Sequence, residues 1–133
     1  MRAHLIAYGA SAVSFALIDF IWLSSTAAIY RRELGDMLLG GFRPVPAALF
    51  YFIYIAGIVI FAVSPALRAE SWKTALVLGG LLGFVAYATY DLTNQATLAQ
   101  WSTQITLMDL AWGTFLTSFS AVTGYLVTMA LTK

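Results

Sequence analysis

Asp19, Asp91 and Asp109 are the residues of this chain whose type and setting could do chemistry. Each is set in a long apolar run. A carboxylate at the centre of a membrane-spanning helix costs about 3 kcal/mol, and ionisable groups kept there are functional by default. Such groups can hold a proton, bind a cation or a small polar molecule, or work as an acid and base pair. No Lys or Arg lies deep in those runs, so protons or a bound cation must neutralise the acids. Two of them open the same four-residue pattern, Asp19-Phe20-Ile21-Trp22 and Asp109-Leu110-Ala111-Trp112. Residues three apart share a helix face, which sets each tryptophan beside its own aspartate.

The elements that position these groups must be membrane spans. Of the 133 residues, 61% are hydrophobic and 10% charged, against roughly 25% charged in a soluble domain. So short a chain could not hide that much apolar surface in water. At ~20 residues per crossing it divides into four spans, expected at about 5–29, 47–63, 75–98 and 104–131. The fold class is an all-α membrane protein: a four-helix antiparallel transmembrane bundle in a single domain, 1–133. Arg2 before an apolar run imitates a signal peptide, but the run is longer than the usual 7–15 residues and contains Asp19, so a retained span is expected.

Between spans one and two, Tyr30, Leu34, Met37 and Leu38 fall at helical spacing. That pattern predicts a short amphipathic helix over about 30–39, lying in the headgroup layer. Gly40-Gly41 would end it, and Ser64-Pro65 would end span two. Gly79 and Gly83 form a GxxxG pair suited to close helix approach, as internal packing or as a dimer seam.

Short loops force neighbouring spans to be antiparallel, so both termini share one side. That side carries Arg2, Arg68, Lys73 and Lys133, against Arg31, Arg32 and Arg43 on the other. The excess predicts cytoplasmic termini. A net charge of +1 offers no basic face for nucleic acid. With no cysteine and a lone His4, there is neither thiolate chemistry nor a histidine metal cluster. The sequence names no cofactor.

The three acids sit at comparable depth. Asp19 lies ~16 Å from the end of its span, Asp91 ~14 Å and Asp109 ~10 Å, at 1.5 Å per residue, and all three exits are on the side away from the termini. Tyr8, Ser11, Asp19, Trp22 and Thr26 form one stripe on span one. Tyr87, Asp91 and Asn94 form another on span three; Thr106, Asp109, Gly113, Thr117, Ser120 and Gly124 form a third on span four. Polar and small residues belong inside a bundle. The candidate ligand-binding set is therefore Asp19, Trp22, Tyr87, Asp91, Asn94, Asp109 and Trp112, with no metal site.

Three functions compete. The favoured one is a pocket that binds or transports a small polar molecule, a cation or a proton. Four helices are few for alternating access, so a homodimer or other oligomer would help. The second is a membrane enzyme acting on a lipid or isoprenoid, its carboxylates serving as acid and base or holding Mg²⁺; no tight Asp-x-x-Asp spacing supports it. The third is an accessory subunit whose aspartates only cement helices, each bond worth ~0.6–2 kcal/mol. In that structural use the acids bond Asn94, Tyr87, indoles and hydroxyls, or Arg31 and Arg32 fold back onto Asp19.

The chain resembles a bacterial predicted-membrane-protein family, domain of unknown function 2177. The matching residues are Asp19-x-x-Trp22, Tyr30-Arg31-Arg32-Glu33-Leu34-Gly35, Ala86-Tyr87-x-Thr89-Tyr90-Asp91-Leu92-Thr93-Asn94-x-Ala96-Thr97 and Asp109-Leu110-Ala111-Trp112-Gly113-Thr114. The Tyr-Asp-Leu-Thr-Asn stretch is the most specific. The resemblance implies a bacterial inner-membrane protein with four spans and lends no activity to carry over.

Overall fold

The computed structural model describes residues 1–133. Four long helices account for almost all of them: α1 (Arg2–Leu34), α2 (Pro44–Ala69), α3 (Trp72–Thr97) and α4 (Thr103–Thr132). All four are long and apolar enough to cross a membrane, and their outward faces carry exposed Leu, Ile, Val and Phe throughout. In lipid such a surface needs no cover.

The chain folds up and down. At one end Gly124 of α4 packs against the Ala7 carbonyl of α1, and Lys133 pairs with Glu70 of the α2–α3 link at 2.7 Å. At the other end Glu33, in the last turn of α1, accepts a 2.7 Å hydrogen bond from Ser102 in the α3–α4 turn. Ser71 and Ser102 cap the N-termini of α3 and α4, each accepting a backbone N–H. This satisfies donors that the first helical turn would otherwise leave open.

Two segments take a different form from the one their sequence suggests. The helix expected over about 30–39 is the last turn of α1 followed by one 3-10 turn at Gly35–Met37. Tyr30 therefore stays on the face that carries Asp19. Span two does not end at Ser64-Pro65. A π turn at Val59–Val63 lets α2 run on through Ser64–Ala69. Proline clashes with the carbonyl four residues back. The π turn resolves this by pairing the Ser64 N–H with the Val59 carbonyl, so the ladder is already widened when Pro65 arrives.

The α3–α4 seam is the most extensive helix contact. Gly79 and Gly83 make it close: a Cβ at Gly79 would lie 2.8 Å from the Ala121 Cβ. The GxxxG pair is thus an internal seam. The first part of α2 (Pro44–Ile58) stands off from α3 and meets it mainly through the π turn. The apolar core, including Phe15, Ile58, Val63, Ala75, Leu116 and Tyr125, fills the half nearer the termini. The other half holds the polar groups.

Candidate functional site

The three aspartates are the only acids withdrawn from the surface, with Asp19 7% exposed, Asp91 0% and Asp109 9%. None is in an ion pair. The two salt bridges of the chain are Arg32–Glu33 and Lys133–Glu70, so Arg31 and Arg32 do not fold back onto Asp19.

The repeated Asp-x-x-Trp pattern becomes an interlock between α1 and α4. Trp22 and Trp112 stack flat, with ring centroids 4.3 Å apart and an interplanar angle of 6°. Each indole reaches toward the other helix's carboxylate. Trp112 Nε1 donates to Asp19 Oδ1 at 3.2 Å. Trp22 Nε1 donates to the Tyr30 hydroxyl at 3.3 Å, and that hydroxyl donates to Asp109 Oδ1. Asp19 gains a second donor from the Tyr51 hydroxyl of α2 at 2.5 Å. With two donors, and Phe15 edge-on to Tyr51 at 5.6 Å, Asp19 ties three helices together.

Asp91 and Asp109 are placed differently. They face each other across the α3–α4 seam within hydrogen-bonding reach. Asp109 has one donor from the protein, Tyr30. Asp91 is fully buried and neither of its oxygens meets any donor. Burial without a partner is costly for a polar group and far more so for a charge. The groups that could relieve it are a proton on the pair or a cation beside it.

Asp109 also forms the polar floor of a half-open cleft of about 320 Å³ between α2 and α3. Its walls are Phe50 and Tyr54 of α2 and Ala86, Tyr87 and Tyr90 of α3. The cleft exists because the first part of α2 stands off from α3. Gly113 sets its back wall: the Tyr87 ring lies so close to the Gly113 backbone that any Cβ there would overlap it. Tyr54 is held by its hydroxyl, 2.8 Å from Thr117 Oγ1. Rigid aromatic walls around one carboxylate suit a cation, which the negative ring faces and the acid both attract. The three carboxyls do not draw together into a set that could hold a metal ion.

Of the seven residues singled out from the sequence, Tyr87 and Asp109 line the cleft, Asp91 lies behind it, and Asp19, Trp22 and Trp112 form the interlock. Asn94 stands apart, one turn beyond Asp91 and beside the Tyr90 hydroxyl. The other polar residues of that end form their own chain, Trp101 to Thr106 to Gln95 to Thr103. Tyr30, Tyr51, Tyr54 and Phe50 lie outside that set of seven; the span-two aromatics read in sequence first as packing or an interfacial belt and less often as a ligand wall. The signal for Tyr30 is present: Asp19, Trp22, Thr26 and Tyr30 fall at i, i+3, i+7 and i+11, a stripe cut short if the helix is ended at residue 29. For Tyr51 and Tyr54 the clue is a pair of phenols three apart inside a span, which need partners there.

The sequence profile of a family described as predicted membrane protein (DUF2177) matches residues 4–126. The chain belongs to that family. Among curated proteins and among solved structures, none matches it.

Proposed function

Taking membership of a predicted membrane protein family as premise, we propose that this protein binds a small organic cation of the alkylammonium class in the α2–α3 cleft and carries it across a bacterial inner membrane. One observation carries the reading: Asp109 is the single acidic group in a cleft walled by four aromatic rings and Ala86, and no basic side chain pairs with it. A cation–aromatic contact is worth ~0.5–2 kcal/mol, more when water is excluded, and the carboxylate adds a charge partner in a poorly solvated setting. The cleft volume accommodates a tetraalkylammonium ion and leaves little room for a lipid headgroup with its chains. One cleft in one four-helix chain does not supply both faces of a transport cycle, so the working unit in this reading is a homo-oligomer. The Lys and Arg excess on the terminal side orients both termini toward the cytoplasm.

Asp19 has a separate part. Its two donors and its place between α1, α2 and α4 make it the structural member of the three acids, so the cementing function belongs to it and not to the Asp91–Asp109 pair.

Purified protein in mild detergent is expected to bind tetraethylammonium saturably, read by isothermal titration calorimetry. Tyr54→Ala, which removes a cleft wall, is expected to weaken binding by about tenfold, the equivalent of roughly 1.4 kcal/mol. Absence of saturable binding for tetraethylammonium and for smaller alkylammonium ions would sink the reading.

A further inference from the structure

Asp91 raises a question that cation binding at Asp109 does not answer. A fully buried carboxyl with no donor on either oxygen must bring its own hydrogen. It has one neighbour to give it to, Asp109. Asp91 is therefore a protonated acid whose O–H points at Asp109, doing for that carboxyl what the Tyr30 hydroxyl does from the other side.

Asp109 then has two states. The titratable and charged groups that face it are Asp19 and Tyr30 of α1, Tyr54 of α2, and Tyr87, Tyr90 and Asp91 of α3. All are acids or phenols, and none is basic. With the cleft vacant, no positive charge offsets one on Asp109 in a medium where unpaired charges are costly, so it holds a proton. With a cation in the cleft the carboxylate is compensated and the proton is the weaker competitor.

We propose that the site is an exchanger: Asp109 releases one proton for each organic cation it takes up, with Asp91 as the fixed hydrogen-bond donor behind it. The step balances. The Asp109 O–H bond breaks, its proton goes to water through the open cleft, and the carboxylate keeps the electron pair and binds the cation. The charge on Asp109 with its occupant is zero before and after. Consequently a proton gradient across the membrane drives cation movement in the opposite direction. This rests on the cation reading above and adds the driving ion to it.

Tetraethylammonium titrations in two buffers of different ionisation enthalpy count the protons released. About one proton per bound cation is expected over the pH range in which Asp109 holds its proton in the free protein. Within that range the apparent Kd rises about tenfold for each unit that pH falls. Asp91→Asn keeps an N–H donor toward Asp109 and is expected to retain the one-for-one release. Binding with no proton release from about pH 5 to about pH 9 overturns the exchange and leaves the cation reading standing; no binding at all overturns both. Binding without release in Asp91→Asn would move the exchanging proton to Asp91 and overturn the assignment. Infrared difference spectra of the unmutated protein give a check independent of how the variants fold. A protonated-carboxyl C=O band should disappear when tetraethylammonium is added, and an unchanged band contradicts the exchange.

Discussion

Asp109→Asn is expected to abolish binding of tetraethylammonium, while Asp19→Asn, also within the polar half, leaves it within about tenfold. Removing one partner of a buried charge pair costs ~2–5 kcal/mol, which is about 30-fold to a few thousand-fold in Kd. The amide is isosteric and neutral, so the Asp109 variant sheds a costly intramembrane acid and should fold. Its Oδ1 still accepts from the Tyr30 hydroxyl. Asp19→Asn acts on a different structure. Its carboxylate does not line the cleft, and it receives the Tyr51 hydroxyl and the Trp112 indole. In Asp19→Asn one of the two acceptor oxygens becomes an amide NH2 that cannot accept, which should lower stability by ~1–3 kcal/mol and leave the cleft in place. Calorimetric titration together with a denaturation curve separates the two effects. The opposite pattern, binding lost in Asp19→Asn and kept in Asp109→Asn, would exchange the roles assigned to these residues.

The largest loss of stability is expected from Gly83→Leu. A Cβ at Gly83 would sit on the Gly113 carbonyl and 2.7 Å from Thr117 Oγ1. Both belong to the facing helix, and a backbone carbonyl in the middle of α4 cannot withdraw. Leucine would force α3 and α4 apart along the seam that carries the most contact in the molecule. Overpacking usually costs ~1–3 kcal/mol; a clash against backbone belongs to the exceptional class above ~4 kcal/mol. Gly9→Leu is the control, because nothing lies within 4 Å of a Cβ there and the residue faces outward. Unfolding of the detergent-solubilised protein in increasing dodecyl sulfate, followed by circular dichroism, should show Gly83→Leu unfolded or nearly so and Gly9→Leu close to the unmutated chain. Equal curves for the two would mean that the seam is not what holds α3 to α4.

Much of this was legible in the sequence because it follows from local spacing. Apolar runs of about 20 residues mark spans whatever they pack against. The GxxxG pair marks a close seam, and the acids mark the polar half, because few other arrangements excuse them. What spacing does not carry is rotation. The stripes on the four spans say which residues share a face, not which partner that face meets. For that reason Asp19, Asp91 and Asp109 read as three equivalent acids, whereas Asp19 has two donors from the protein, Asp109 one and Asp91 none. The same limit hid the cleft. It arises from the stand-off of α2, and its aromatic wall looks in sequence like an interfacial belt. Pro65 misled for a different reason. A proline after an apolar run usually ends a helix, and the π turn that carries α2 past it packs against α3 and α4, contacts that no local pattern encodes. The Asp-x-x-Trp repeat was visible, but its meaning was not: the Trp112 indole donates to Asp19 of the other helix, and Trp22 reaches Asp109 only through the Tyr30 hydroxyl.

The most direct test of the central claim is to locate the cation. The protein saturated with (2-bromoethyl)trimethylammonium can be crystallised and its anomalous bromine signal mapped. The account predicts one peak in the cleft between Tyr54, Tyr87 and Tyr90, with the ammonium group beside Asp109 and its loss in Asp109→Asn. A peak elsewhere in the molecule, or none in a crystal of protein that binds the ion in solution, would contradict it.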